Sequence, residues 1–591
     1  MNAKKSTNKN CITFTMVNHI SLKILLALVL LFQISGCLSD ETADQAIIDA
    51  YQKAVVEKGP QRRLGRMGLD FLRPASEPNI PALEITKDEA SGKNIVNLTL
   101  EDAVVRALAS SPEISVVSFD PAIAREDITK AVSVFDVTTF GRLNSEKNDN
   151  PTDSVFQAGQ STSRLWEAGI KQRGVTGAEW SLSYALTRNW DDLAYRDLPT
   201  RYEPMLSFQI KQPLLRDAWQ ELNLAGVNIS KLNYKIALAG FRQKTEDVAT
   251  EVISLYWILL QARRDLETQQ RLLDKTLETF RKVEDRRDID ATTVQIKQAE
   301  SAVKTRQAML FQAEKRVGDV QDALVRLLSD HQLNLLDDFE IVPVTTPSKT
   351  PTKIEQAEVL KLAMANNARI QQAQIGVEVA QINVDVAERQ KMPRLDLVAS
   401  ARIQGLSSTQ GDAHDMLNKA DYTSCAIGIT FEFPPGNRQR KAEFRRRKFE
   451  RSKAVSILQN VSDQTATQAK ERIRLAGTAY KEVQVQKEAA EAAGIHLQAL
   501  EDSETIREKL TPEFLLVKLQ AQETVASAQR AEIKAIVDYN IAQTRLAQTT
   551  GTVLDLRYVQ TALPTTSDSN DKANHKSDTP PAESNVVAKD K

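Results

Sequence analysis

Metal ligation and proton transfer fall first to histidine, and the chain has five: His19, His331, His414, His496 and His575. They are scattered, and none pairs with Cys, Asp or Glu at ligand spacing. No G-x-S-x-G turn, phosphate-binding loop or dinucleotide fingerprint stands out. The three cysteines build no disulfide framework, because Cys11 and Cys37 sit in an N-terminal segment and only Cys425 remains. Residues 438–453 (RQRKAEFRRRKFERSK) hold nine Lys/Arg but only Phe444 and Phe449 as stacking aromatics. That run reads as a solvated helix face near anionic headgroups, and the net charge of −1 offers nucleic acid no global attraction. Cations at a helix start oppose the macrodipole, so this run calls for a local partner. The reading is a non-enzyme with no cofactor and no metal.

One thiol does invite chemistry. Lys4, Lys5, Lys9 and Lys23 precede the apolar run Ile24–Ile34, whose eleven residues are too few for a bilayer span of ~20 and suit a signal h-region. The run ends in Ile34-Ser35-Gly36-Cys37, which resembles a bacterial lipobox. Such a Cys37 takes a diacylglyceryl group and becomes the new N-terminus, and Leu38, where an Asp would retain it, permits sorting to the outer membrane. Either Met1 or Met16 serves as the start. The expected order is signal peptide 1–36, N-terminal extension 37–97, first repeat 98–330 with an insertion 144–190, connector 331–352, second repeat 353–551 and a tail 552–591, disordered from about 564.

Chemistry being scarce, shape must carry the function. Only 21 glycines and 5% aromatics in 591 residues argue against a large loop-rich core, while Ala, Gln, Glu, Lys, Arg and Leu favour helix. The chain repeats itself: Ala107–Ile114 (ALASSPEI) lines up with Ala363–Ile370 (AMANNARI), and Ile296–Glu300 with Leu519–Glu523. Each copy reads as a helical stretch (101–134; 355–390), alternating strands, a very long helix (about 222–286; 438–508) and a returning helix (about 291–328; 512–550). Ile296, Ala299, Val303, Arg306, Leu310, Ala313, Val317, Val320, Leu324 and Leu327 follow steps of three and four. Val248, Val252, Leu255, Leu259, Ala262, Leu266 and Leu273 do the same, with Gln269 in the gap. These are coiled-coil seams. At ~1.5 Å per residue the long helices run about 100 Å, enough to pair with two half-length helices stacked end to end.

Strand alternation supplies the second signature. In Cys425–Phe433 the odd positions Ile427, Ile429, Phe431 and Phe433 are apolar and the even ones small or polar. Leu395, Leu397, Ala399 and Ile403 alternate likewise, as do Trp180–Leu186 and Leu206–Ile210. No large aliphatic remainder exists for a soluble core, so the apolar face meets lipid and the other lines water. An open edge cannot be left in lipid, so the barrel is shared between protomers. The fold class is mainly α with a β-barrel portion, with about four strands per protomer, or six if Arg164–Lys171 adds a hairpin. Segments 191–202 and 406–421 read as polar connectors.

In this arrangement the chain resembles the TolC-like outer-membrane factor (outer membrane efflux protein) family, of lipoprotein type. The resemblance covers about 98–551 and rests on the openings LTLEDAVVRALASSPEI and IEQAEVLKLAMANNARI and the junctions QPLLR (212–216) and FPPGNR (433–438). The run LQAQ (519–522) and the closing Leu546 to Gly551 complete it. It implies a homotrimer whose three sets of four strands close a 12-stranded barrel above a periplasmic helical tunnel. Pro213 and Pro434 would mark the barrel–helix junctions. Helix tips near Asp288, Ile289 and Asp290, and near Lys509, Leu510 and Thr511, would dock a periplasmic adaptor (membrane fusion) protein serving an inner-membrane transporter. Family tips carry a Gly that is absent here. Val517 and Gln520 occupy the positions where some members place constricting Asp residues, while Asp288 and Asp290 are explained equally well as N-caps. The implied function is a passive exit duct of a tripartite efflux or type I secretion system, gated at its tips, with drug, metal and polypeptide substrates all open. The alternative is a periplasmic coiled-coil scaffold lipoprotein without a pore.

Overall fold

The computed structural model describes Leu83, Ile85–Lys87 and residues 94–555, apart from 155, 194, 290, 331, 334–338, 352–354 and 507–510. All of these lie in one unit, Pro78–Thr565; the other, Met1–Glu77 with Thr566–Lys591, is outside the described residues, and with it the signal segment and Cys37.

The first copy runs β1 (Ile85–Lys87), β2 (Asn94–Leu98), α1 (Leu100–Ser110), α2 (Pro112–Val132), β3 (Thr138–Asp149), β4 (Gln160–Arg173), β5 (Glu179–Asp191), β6 (Thr200–Pro213), α3 (Gln220–Asn223), α4 (Ala225–Asp285) and α5 (Thr293–Leu328). The second runs β7 (Phe339–Pro343), α6 (Gln356–Asn366), α7 (Ala368–Arg389), β8 (Arg394–Gln404), α8 (Gln410–Asn418), β9 (Tyr422–Glu432), α9 (Arg438–Ile506) and α10 (Pro512–Thr550). The two openings break at equivalent residues. Ser111 separates α1 from α2 at ψ 124°, and Asn367 separates α6 from α7 at ψ 122°. Pro112 explains the first break, since it has no N–H to continue α1 and suits the first position of α2. Asn367 explains the second by accepting from the Arg369 backbone N–H.

The seams pack as their spacing implies. Ile296, Ala299, Val303, Leu310, Val317, Leu324 and Leu327 of α5 are buried, as are Val248, Val252, Leu259, Ala262 and Leu273 of α4. Each such Val, Leu or Ile contributes roughly 1.5–3 kcal/mol on burial, which is what holds a 61-residue helix beside its partner. Near the strands the helices lie side by side as α2–α4–α7–α9; toward the tips the order is α5–α4–α10–α9. One long helix therefore pairs with two shorter ones in each copy. The edge helix α9, 69 residues long, leaves Phe449, Val455, Ile457, Leu475, Val485 and Ile495 exposed.

A small sheet draws on the end of the N-terminal extension (37–97) and on the connector (331–352). β1, β2 and β7 form a three-stranded sheet, with β2 and β7 parallel from Asn94↔Phe339 to Leu98↔Pro343. Val96, Leu98 and Ile341 pack on Tyr256, Leu259, Leu324 and Leu328, the largest core of the protein. The Tyr256 hydroxyl donates to Leu98 O at 3.0 Å and accepts from Thr345 N at 3.0 Å, tying both copies of the chain to α4. Below it Arg106 and Asp330, both fully buried, form an ion pair.

The strand count is six, the larger of the two numbers that the sequence left open. Six antiparallel strands, ordered β3-β4-β5-β6-β8-β9, make one sheet, so the chain exceeds the four that a 12-stranded trimer needs. The insertion 144–190 holds the end of β3 and all of β4, Asn144–Asp149 pairing with Gln160–Leu165. The connector 406–421 likewise contains a helix, α8, capped by Thr409.

Candidate functional site

Residues paired across neighbouring antiparallel strands share a face, so the register sorts the whole sheet. One row reads Thr139, Ile170, Leu182, Phe208, Ala401, Cys425, and the next Gly141, Ala168, Tyr184, Leu206, Ile403, Thr423. Trp180, Ile210, Ala399 and Ile427 form a further row of this face, ending toward the helices in Leu397 with Ile429 and Leu395 with Phe431. The opposite face carries Lys171, Ser181, Gln209 and Ser400, then Gly169, Ser183, Ser207, Arg402 and Ser424. From β4 to β9 one face is fatty and the other wet; on β3 only Leu143 adds a large apolar side chain to the fatty side. Ile427, Ile429 and Phe431 are 65–81% exposed, and Phe433 just beyond β9 is also exposed.

Both edges of this sheet are open in the single chain. β9 is exposed along its whole length, and β3 everywhere but at Phe140. The Phe140 ring lies over Gly169, where a Cβ would come within 2.7 Å of it, so the glycine admits the aromatic that fixes β3 against β4. No helix among the described residues is long and apolar enough to cross a membrane. Nor do the described residues include a group of three or more His, Cys, Asp or Glu able to hold a metal.

The strand ends differ in kind. Longer connections join β3 to β4, β5 to β6 and β8 to β9 at the end remote from the helices, whereas the β4–β5 turn on the helix side spans only residues 174–178. That turn is wedged against the first barrel–helix junction: Gly177 stands at φ 81°, and a Cβ there would meet Asp217 O at 2.2 Å. Pro213 is the last residue of β6, and Leu214 N donates to Leu395 O at 2.7 Å before the chain turns into α3 and α4. At the second junction Pro434 follows β9, and Asn437 at φ 40° donates from Nδ2 to Lys391 O at 2.9 Å. The basic run finds its local partner here. Arg440 donates to Gln390 O at the C-terminus of α7, and Arg446 and Arg447 pair with Glu443 and Glu450.

At the opposite end lie the tips. Asp288 and Ile289 stand in the turn after α4, with Ile289 79% exposed; Asp290, Lys509 and Leu510 lie outside the described residues. The caps are threonines rather than Asp288 or Asp290. Thr292 forms a capping box with Gln295, and Thr511 accepts from Phe514 N ahead of Pro512. The matched segments start four residues beyond Thr292 but eight beyond Thr511, so α10 reaches about one turn further toward its tip.

Two polar contacts had no clear signal in the spacing. Arg306, the one polar member of the α5 seam, is buried and donates to Thr276 Oγ1 on α4, to Gln522 Oε1 at 3.0 Å and to Leu519 O at 2.7 Å on α10. Burial lowers its pKa, with Glu523 at 3.7 Å opposing. Gln522 in turn donates to Thr279 Oγ1, so a polar layer joins the two helical hairpins near the tips. The other is His414 of α8, whose Nε2 is 2.6 Å from the Tyr184 hydroxyl and which holds that helix to the sheet.

No protein-family model matches the chain, and no curated protein matches it. Solved structures do. The Campylobacter jejuni CmeC outer membrane channel is 13% identical with a TM-score of 0.57, over 77% of this chain and 86% of that one. Vibrio cholerae VceC, an outer membrane protein, is 16% identical at a TM-score of 0.56, over 76% and 96%. The open state of the Neisseria gonorrhoeae MtrE outer membrane channel is 14% identical at a TM-score of 0.54, over 82% and 98%. The chain thus shares the fold of these outer-membrane channels, its own sheet holding six strands above two helical hairpins.

Proposed function

We propose that the protein is the outer-membrane exit duct of a tripartite efflux or type I secretion system, a passive path opened at its helix tips. The observation that carries this is the six-stranded sheet, apolar on one face and polar on the other, with both edges unpaired within the chain. Such a sheet is stable in lipid only when closed, and closure between copies turns the polar face into a water-filled lumen. Three copies are proposed by analogy with the channel fold, anchored in addition by a lipid on Cys37.

The duct needs no catalysis of its own. An inner-membrane transporter supplies the energy, and an adaptor that prefers splayed tips over closed ones by a few kcal/mol opens the path. Asp288, Ile289, Asp290, Lys509, Leu510 and Thr511 are the docking residues of this proposal. The test is heat-modifiable trimer migration together with single-channel conductance in planar bilayers. Monomers without conductance would overturn it in favour of a pore-free scaffold. Cysteines placed at Ile289 or Leu510 should crosslink to the adaptor; capture at mid-helix positions alone would remove the tips from that role.

A further inference from the structure

The trimeric-duct reading leaves open which strands meet between copies, and the extra hairpin β3–β4 bears on that. A 12-stranded barrel would join β9 of one copy to β5 of the next and would have to peel the hairpin away. Yet β4 pairs with β5 along thirteen residues, Ser161↔Asp191 to Arg173↔Glu179, and β3 with β4 along twelve. The register rows run unbroken from β9 to β3, with Leu143 the one large apolar residue that β3 adds to the fatty side. All neighbours are antiparallel and the strand number is even, so β9 runs opposite to β3. Setting β9 beside β3 of another copy therefore continues the alternation.

Width decides between the two rings. Strands ~4.8 Å apart and tilted ~40° occupy about 6.3 Å of circumference each, so six cover about 38 Å and four about 25 Å. The four helices below them, α2–α4–α7–α9, cover roughly 32–40 Å at an interaxial spacing of 8–10 Å. Six strands match the helical layer that each copy places beneath the sheet; four leave a step of about 10 Å per copy.

We infer that the barrel closes through β9 of one copy on β3 of the next, with six strands from each chain and eighteen in all. Its backbone diameter would be about 36 Å, against about 24 Å for twelve strands. The partner of both edges is a second copy of this chain. This inference rests on the trimeric-duct proposal and deepens it.

Cys425 offers the test, being exposed on β9 and on the same face as Thr139, Gly141, Leu143, Ser145 and Lys147 of β3. Single cysteines at those five positions, and at Leu182, Tyr184 and Leu186 of β5, are introduced into the full-length protein and oxidised in the outer membrane. An antiparallel neighbour brings Cα atoms to about 4.5–5.5 Å, within disulfide range. At least one β3 position should convert most of the protein to covalently linked oligomers, the β5 positions none, and Cys425→Ser should abolish the bands. Linkage from β5, or native trimers with no linkage from any β3 position, would overturn the eighteen-strand ring while leaving the trimer intact. Monomers on native gels would instead remove the trimeric duct itself, and the ring with it.

Discussion

Arg306→Met tests whether the polar layer between the hairpins holds the tips closed. Arg306 belongs to the first hairpin, and its contacts with Gln522 Oε1 and Leu519 O belong to the second. Hydrogen bonds from a charged donor contribute about 1.5–3 kcal/mol each, and part of this is offset by the desolvation that already lowers the Arg306 pKa. A net closed-state preference of about 3 kcal/mol from the two contacts is a factor of about 150 in the open-to-closed ratio. Methionine fills the seam between Val303 and Leu310 without a polar atom, and Gln522 keeps Thr279 as a partner. The closed fold should therefore lose no more than the ~3 kcal/mol that those contacts contribute net of desolvation. In planar bilayers the variant should raise the open fraction by one to two orders of magnitude without changing the thermal dissociation of the trimer by more than a few degrees. Gln522→Leu should behave alike, and the double variant should add little to either single one. An unchanged open fraction in Arg306→Met, with the trimer intact, would refute the clamp, as would full additivity of the two substitutions.

Ile427→Lys should cost about 2–4 kcal/mol if the fatty face meets lipid, whereas Ala426→Lys, one residue away on the wet face, should assemble normally. Equal yields of heat-modifiable trimer from both would contradict the assignment of faces. Gly177→Val should destabilise the β4–β5 turn by about 2–3 kcal/mol through its positive φ and the clash with Asp217 O, while Gly318→Ala, with open space around it in α5, should gain about 0.5–1 kcal/mol. Melting temperatures that move in the same direction for both would tell against this account. Glu113 has its pKa lowered, first by the hydrogen bond from Lys244. Its contribution is thus fully present above the unfolded value of 4.5 and lost as pH falls through the lower folded one. Glu113→Gln should flatten the acid limb of the stability profile and lose a small increment at neutral pH, and an unaltered acid limb would exclude the pair as its source.

What could be read in advance divides by the range of the interaction. The seams of α4 and α5 repeat every three or four residues, so burial from Val248 to Leu273 and from Ile296 to Leu327 is written locally. The same holds for β8 and β9, whose alternation needs no knowledge of a partner. β3 was out of reach for a physical reason: among Thr139, Gly141, Leu143, Ser145 and Lys147 only Leu143 is large and apolar, so its fatty face is nearly silent. Its strand character comes from the Phe140–Gly169 contact and a twelve-residue ladder, both of which depend on β4. The β2–β7 ladder joins segments some 245 residues apart, and Arg306 finds its carbonyl 213 residues away. Local periodicity announces which face of an element is buried, but not which element covers it.

The same reasoning explains why α9 read less clearly than α4. α4 has neighbours on both sides at every level, so its buried stripes together span much of its circumference. α9 ends the row and packs within this chain on one side only, leaving Val455, Ile457, Leu475, Val485 and Ile495 outside. On the far flank α2 leaves Val116 and Ile123 exposed, and α5 leaves Phe311. Apolar residues left on both flanking helices, beneath a sheet open at both edges, are the arrangement expected of a segment cut from a ring. If the ring exists, polar substitutions at Ile457 or Ile123 should weaken trimer assembly while leaving the helicity of the isolated chain unchanged. Loss of helicity alongside assembly would mean that those side chains serve the fold of the single chain instead.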